Sequence, residues 1–322
     1  MKTIYNKIAY CAAIIILLCT MSACGYSEGE LTPSGDALSY KLPQGNNDYD
    51  QTIVDYYNKY GTYILYKFSD KEAYWTPSGW QNGIIGVMKS GKGGFSVLST
   101  DPTNIKQQLS LIKELWFDSY SDAFLKAYLP AKILLCSEVD SVFADYSMSP
   151  ASYRGVKVGA WYNYYNICVG YGDGTTSSQL TVADKRKLKD KWNRIFVKNI
   201  VDRGVVTMPD EFISSTNYIG VTSLSSNSKL WALGTLGPGY SSTPARDWGY
   251  FMLMMICHSE TFLNTVPSSI SDSNTTEASW QGILTPTKDT SGLLRKRYNM
   301  VRNYYIQNYN IDLQQIGNNL NN

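Results

Sequence analysis

The segment from Trp248 to Cys257 constrains the fold of this chain most strongly, because nearly all of its residues are apolar. It reads WGYFMLMMIC and follows Pro244, a residue that suits the first position of a helix. A helix that is apolar around its whole circumference must be surrounded by protein. We therefore predict a buried helix that begins at Pro244.

Other segments predict further helices and a few short strands, from apolar spacing and from β-branched or aromatic runs. The longest helix is predicted over 184–203, with inward positions that include Trp192 and with Gly204 after its end. Residues 212–243 are polar and glycine-rich, which is typical of a loop. Helices outnumber strands and do not alternate with them regularly, so the predicted class is α+β, mostly helical with a small sheet. The predicted strand-like runs are 63–68, 131–136 and 156–174.

The N-terminus has the composition of a lipoprotein signal. Residues 1–23 carry two lysines, then an apolar run and small residues, and Cys24 follows at the position where a lipobox cysteine is acylated. Residues 24–42 are predicted to be a flexible tether and residues 43–322 a single domain. We expect a lipid at Cys24 to hold the protein at a membrane.

The charge balance argues against a nucleic-acid partner. The chain has 29 basic and 27 acidic residues, and removal of residues 1–23 takes away Lys2 and Lys7 and leaves the two totals equal. A chain without net charge has no electrostatic attraction for nucleic acid. The nearest block of like charge, 184–191, alternates in sign and is typical of a solvated helix face.

The aromatic content is high, with 26 Tyr, 8 Trp and 9 Phe. Trp161, Tyr162 and Tyr164 are clustered, with Asp173 nearby in sequence. These rings are candidates to stack on sugars, with Asp173 as a hydrogen-bonding partner, because aromatic side chains combine an apolar face with a polar edge. The alternative interpretation is that they are ordinary strand and core residues.

Five stretches of the chain keep their order in a known family: LPQGNNDYDQTIVDYYNKYGTYILYKF, YSDAFLKAYLPAKILL, the helix before MPDEF, RDWGYFMLMM and RYNMVRNYYIQNYNIDLQQI. Together they resemble the zinc-binding metallopeptidase lipoproteins that are encoded beside outer-membrane glycan-uptake systems. The resemblance covers nearly the whole chain after the signal and implies a zincin-like fold. It also implies an outer-membrane lipoprotein of a Gram-negative bacterium, on the cell surface or the periplasmic face, with glycan or outer-membrane uptake proteins as partners.

The catalytic motif that this family implies is missing. An H-E-x-x-H helix supplies two zinc ligands and a general base. Counting back from Pro209 puts Phe196 and Ile200 at the histidine positions and Val197 at the glutamate. A shift of one or two residues does not help, because residues 184–212 contain no histidine.

The later helix of the family supplies a carboxylate ligand within an E-D-F-A-E motif. Here Arg246 and Tyr250 stand at the two glutamate positions, and only Asp247 matches. The chain contains a single histidine, His258, and two histidine ligands cannot come from one. We therefore expect no metal cofactor, and we expect Phe196 and Ile200 to face Tyr250 across a filled pocket.

The favoured function is that of a non-catalytic, zincin-like surface lipoprotein that binds glycan or a partner subunit. The alternative is an active hydrolase, either a metallopeptidase with non-standard ligands or a glycosidase with a pair of carboxylates. Cys136, Cys168 and Cys257 lie in apolar segments without C-x-x-C spacing and are expected to be buried free thiols.

Overall fold

The computed structural model describes residues 40–76, 79–80, 94–147, 149, 152–224, 226–237, 243–273 and 277–320. The predicted signal peptide, the lipidation site at Cys24 and most of the predicted tether lie outside these residues. The helices are α1 (Asp50–Tyr60), α2 (Asp70–Tyr74), α3 (Ile105–Leu115), α4 (Asp122–Tyr128), α5 (Val182–Asp202), α6 (Asp210–Ser214), α7 (Asn227–Ala232), α8 (Pro244–Cys257), α9 (Glu260–Asn264), α10 (Leu293–Tyr309) and α11 (Leu313–Leu320). The strands are β1 (Tyr63–Leu65), β2 (Trp75–Thr76), β3 (Gly79–Trp80), β4 (Gly94–Ser99), β5 (Lys132–Asp145), β6 (Ser152–Lys157), β7 (Ala160–Tyr162) and β8 (Asn166–Val169).

Strand β5 organises a mixed six-stranded sheet. Its first residues pair in parallel with β1 on one side and with β8 on the other, and β7 adds to the far edge of β8 in antiparallel direction. Its second half pairs in antiparallel direction with β4 and β6. Residues 133–136 are fully buried, as expected for a strand in the middle of a sheet. Strands β2 and β3 form a separate two-stranded ribbon.

Helix α8 is the buried helix that the sequence predicts. Every residue from Asp247 to Cys257 is buried except Tyr250. The helix packs mainly on α5 and α11, and two glycines allow these close approaches. A Cβ at Gly249 would lie 2.0 Å from Cγ2 of Val201, and a Cβ at Gly317 would lie 2.1 Å from the carbonyl oxygen of Met255.

Helix α5 forms where the sequence predicts it, for local reasons. Thr181 caps it: the backbone N–H of Asp184 donates to the Thr181 hydroxyl at 3.1 Å, and the hydroxyl donates to the Asp184 carboxylate at 2.6 Å. The helix ends at Asp202, and Gly204 follows with φ +66° in the left-handed region. One face carries Leu188, Trp192 and other buried residues, and the opposite face is polar.

The α+β class is confirmed, and several local predictions need revision. The run 156–174 contains parts of three strands, because the chain reverses direction at 163–165 between β7 and β8. Residues 212–243 include the helix α7 and part of α6, so this segment is more ordered than a loop. Across the described ranges, no helix has the combined length and apolar character that crossing a bilayer requires.

Candidate functional site

A cavity of about 800 Å³ opens between α5 and the strand β7. We call it the ring cleft. It is lined by Thr76, Phe95, Ala160, Trp161, Tyr162, Asn163, Tyr164, Lys191, Ile195, Lys198, Asn199 and Asp202. The segments that meet here come from four distant parts of the chain, and its volume lies in the range of small-molecule sites.

Aromatic side chains form one wall of the ring cleft. The ring of Trp161 stacks on Phe95, with centroids 5.0 Å apart and planes 14° apart, and its other neighbour is Tyr74 at 5.7 Å. Trp161 is half-buried, so part of its surface remains open to the cleft. A tryptophan held by other rings presents a rigid apolar surface that loses little entropy on binding.

A second group of rings lies at the mouth of this wall. Tyr164 meets Tyr165 edge-on at 4.3 Å, and Tyr165 lies parallel to Trp75 at 5.6 Å. All three rings are more than a third exposed, at 42% for Tyr164, 43% for Tyr165 and 37% for Trp75. Three exposed rings packed together form an apolar surface of the kind that marks recognition sites.

The opposite wall is a polar stripe on α5. Lys191, Ile195, Lys198, Asn199 and Asp202 follow one another at intervals that keep them on one face of a helix. The stripe therefore offers two ammonium groups and a carboxylate to a ligand whose other side rests on the rings, whereas Asn199 is buried and its amide is held by Asn163 and Arg203. We did not predict these residues as site residues. Their signal in the sequence is the polar spacing within a helix whose remaining positions are apolar.

Hydrogen bonds fix the two walls relative to each other. The Tyr162 hydroxyl donates to the Asp202 carboxylate at 2.5 Å. The Asn199 amide donates to the backbone carbonyl of Asn163 at 3.3 Å, and the Asn163 amide donates to the carbonyl of Trp75 at 2.9 Å. The site is thus largely formed before any ligand arrives, which limits the entropy lost on binding.

The charges of the ring cleft are only partly balanced. Within the described residues, the side chains of Lys191 and Lys198 make no hydrogen bond and no ion pair. Burial lowers the pKa of Lys191, and the charge of Lys198 lowers it further. Burial, and then the hydrogen bond to Asp202, raise the pKa of Tyr162, so this phenol stays protonated at neutral pH.

A smaller cavity of about 210 Å³ adjoins the ring cleft and shares Tyr162, Lys198 and Asp202 with it. We call it the side cleft. It lies between α5 and α8, where the resemblance would place a metal. Its other lining residues are Val197, Val201, Arg246, Gly249, Tyr250 and Leu253.

The apolar residues of α5 that line the side cleft together with Tyr250 are Val197 and Val201, each one position later than the sequence predicts. Phe196 points into the core instead, where its ring centroid lies 5.2 Å from Trp116 and 5.3 Å from Tyr120. Ile200 is fully buried and does not line the side cleft. A rotation of 100° between neighbouring helical residues accounts for the difference, because both registers are apolar.

The side cleft does not fit a zinc ion. Zinc in proteins takes nitrogen, thiolate and carboxylate ligands in tetrahedral sets. Val197 and Val201 present hydrocarbon at the places that face Tyr250, and Arg246 brings a positive charge. No group of three or more His, Cys, Asp or Glu residues that could hold a metal occurs in the described part of the chain.

His258 lies outside both clefts, at the end of α8. Its ring stacks on Phe262 with centroids 4.5 Å apart and meets Trp280 edge-on at 5.7 Å. Burial, and then the nearby charge of Arg194, lower the pKa of His258 to about 4. Burial raises the pKa of the neighbouring Cys257 thiol well above its usual range. A neutral imidazole beside a protonated thiol lacks the thiolate that a cysteine protease requires.

Two of the segments that carry the resemblance meet at a buried ion pair. Asp247 and Arg297 form a fully buried ion pair at 2.5 Å, and the guanidinium lies 4.0 Å from the ring centroid of Phe212. Asp247 comes from the RDWGY segment and Phe212 from the MPDEF segment, so these two segments meet at one arginine. The Tyr218 hydroxyl donates to the same carboxylate at 3.0 Å.

Of the four candidate ligand-binding residues, Trp161, Tyr162 and Tyr164 line the ring cleft together. Asp173 does not line it. Its carboxylate pairs with Lys157 at 2.7 Å and accepts from the Thr175 hydroxyl at 2.6 Å, in the loop after β8. The lysine and the two hydrogen bonds from Thr175 lower the pKa of Asp173 despite its partial burial.

Comparisons with known proteins assign no role to either cleft. No protein-family model matches the chain, and no curated protein matches it. One similar solved structure is a crystal structure of a "putative zinc-binding metallo-peptidase" from Bacteroides caccae. The similarity has a TM-score of 0.46 with 13% sequence identity, and it covers 88% of this chain and 94% of that one.

Proposed function

We propose that this protein is a non-catalytic, zincin-like lipoprotein that binds glycan in the ring cleft. The observation that carries the proposal is the pairing of two walls in one cavity of about 800 Å³. One wall offers the rings of Trp161 and Tyr164, which suit the apolar faces of sugar rings. The other offers Asp202, Lys191 and Lys198, which suit sugar hydroxyls.

The zincin-like and lipoprotein parts of the proposal rest on the sequence. The resembling segments keep their order along the chain, and Cys24 follows a signal of the lipoprotein type. In this proposal a lipid at Cys24 holds the domain at the outer membrane, where glycan or uptake proteins are its partners. The hydrocarbon of Val197 and Val201 and the positive charge of Arg246 in the side cleft support the loss of the metal site.

The hydrolase alternatives find less support in the cleft. A glycosidase of the usual type needs two carboxylates about 5 to 9.5 Å apart. Asp202 is the single carboxylate among the described residues that line the ring cleft and the side cleft. It also accepts a hydrogen bond from Tyr162, which holds it at the wall.

Binding of defined oligosaccharides to the purified domain tests the proposal. We expect neutral or acidic glycans from a panel to bind, and Tyr164→Ala to weaken the tightest of them by roughly tenfold or more, since stacked aromatic anchors contribute about 2 kcal/mol. Trp161→Ala should act in the same direction. Tyr146→Ala is the matched control, because this tyrosine is 75% exposed and lines neither cleft.

Two results would contradict the proposal. One is that no glycan of the panel binds at millimolar concentration. The other is that Tyr164→Ala and Tyr146→Ala have equal effects. Peptide cleavage that a chelator abolishes and added zinc restores would instead support the metallopeptidase alternative.

A further inference from the structure

The two clefts together carry an excess of positive charge. Lys191, Lys198 and Arg246 line them, and the carboxylate that opposes these cations is Asp202. Asp202 is engaged by the Tyr162 hydroxyl rather than by a lysine. Lys191 is half-buried, Lys198 and Arg246 are exposed, and within the described residues none of the three side chains forms an ion pair. An anionic ligand would therefore gain charge-assisted hydrogen bonds at this surface.

The arrangement on α5 spaces these charges. Lys191 and Lys198 are seven residues apart, which is about 10 Å along the axis of a helix. Lys198 lines both clefts, and Arg246 faces it from α8. The positive charges therefore follow one side of a continuous surface whose other side is the aromatic wall.

We propose that the ligand of the ring cleft is an acidic sugar chain, whose carboxylate or sulfate groups bind Lys191, Lys198 and Arg246. This inference rests on the proposed function and narrows it to one class of glycan. The rings stack on the apolar faces of the sugars, and the Asp202 carboxylate accepts hydrogen bonds from their hydroxyl groups. The spacing of about 10 Å between Lys191 and Lys198 matches an anionic group on about every second sugar unit of the ligand.

Asp202 also favours a sugar over a nucleic acid. A single-stranded nucleic acid pairs stacking surfaces with a groove that is positive along the backbone. A nucleic acid carries a phosphate on every residue, which the Asp202 carboxylate repels, whereas a sugar chain can place a hydroxyl at Asp202 and its anions at the lysines. The balanced charge of the chain after Cys24 likewise gives no long-range attraction for a polyanion as dense as nucleic acid.

The test compares one sugar chain with and without its charge. Isothermal titration is run with a hexuronate oligosaccharide, with the same oligosaccharide after reduction of its carboxyl groups, and with a sulfated oligosaccharide. We expect an acidic form to bind at least tenfold more tightly than the reduced form. We also expect Lys198→Gln and Lys191→Gln each to weaken binding of the acidic form about tenfold, as is usual for loss of a hydrogen bond to a charged group.

The controls separate charge from folding. Lys187→Gln removes an exposed lysine from the same helix that lines neither cleft, and it should leave affinity unchanged. Higher salt should weaken binding of the acidic form and leave the reduced form unaffected. Thermal melting of each variant verifies that the domain remains folded.

Each outcome decides one point. Equal affinity for charged and reduced forms overturns the acidic-ligand inference and leaves glycan binding in place. If an acidic sugar binds through the lysines but Tyr164→Ala does not weaken it, the anion site is supported. The same result contradicts the stacking on aromatic rings that the proposed function requires. Tighter lysine-dependent binding of a single-stranded oligonucleotide, or no binding of any acidic sugar, overturns the inference.

Discussion

Substitution of Asp247 by leucine tests whether this residue of the RDWGY segment has a structural role. Asp247 and Arg297 are both fully buried, 2.5 Å apart. The guanidinium also donates to the carbonyl of Gly234 at 2.6 Å. Removing the carboxylate leaves the arginine charge buried without its counter-ion, which destabilises a protein by about 3 to 5 kcal/mol.

The assay is urea unfolding followed by tryptophan fluorescence, together with calorimetry. At about 2 to 4 °C per kcal/mol for a domain approaching this size, Asp247→Leu should lower Tm by roughly 6 to 20 °C. The double variant Asp247→Leu/Arg297→Met should lose less stability than the sum of the two single variants, because it removes both charges. Because the ion pair is buried, the loss of stability should depend little on salt concentration.

The matched control is Asp118→Leu, which breaks an ion pair of similar length at the surface. Asp118 lies 2.7 Å from Lys113, and both side chains are more than half exposed. We expect a loss below about 1 kcal/mol. A loss below about 1 kcal/mol for Asp247→Leu, or strict additivity in the double variant, would refute the structural assignment of Asp247.

Two further predictions concern α8. Gly249→Ala should destabilise the domain by about 1 to 3 kcal/mol, because its Cβ would lie 2.0 Å from Cγ2 of Val201. Adding Val201→Ala to this variant should recover part of the loss in urea unfolding. Unchanged stability of Gly249→Ala would contradict the packing. His258 should stay neutral down to about pH 4 in NMR titration, where it is the only histidine of the chain. The unfolded state takes up the proton near pH 6.5, so the free energy of unfolding should fall by up to about 3 kcal/mol as the pH drops from 6.5 to 4. His258→Phe should flatten this pH dependence. Titration of His258 near pH 6.5 in the folded protein would contradict the prediction.

The sequence alone determined the main helices and their approximate ends. Helix α8 begins at Pro244 as predicted, and α5 spans Val182–Asp202 against a prediction of 184–203. These elements are readable because local signals specify them: a proline at the first position, a capping threonine, a glycine after the end and apolar residues at helical spacing. The proximity of Trp161, Tyr162 and Tyr164 along the chain likewise indicated that they share one site.

Tertiary structure decided which residues share a surface. Phe196 and Val197 are both apolar and both buried, so periodicity could not tell which of them faces α8 and which faces Trp116. Asp173 follows the aromatic cluster closely in sequence, yet it lies beyond the end of β8, outside the ring cleft, and pairs with Lys157. The ring cleft joins segments around residues 76, 95, 160 and 191–202, and such long-range contacts depend on packing that no local pattern encodes.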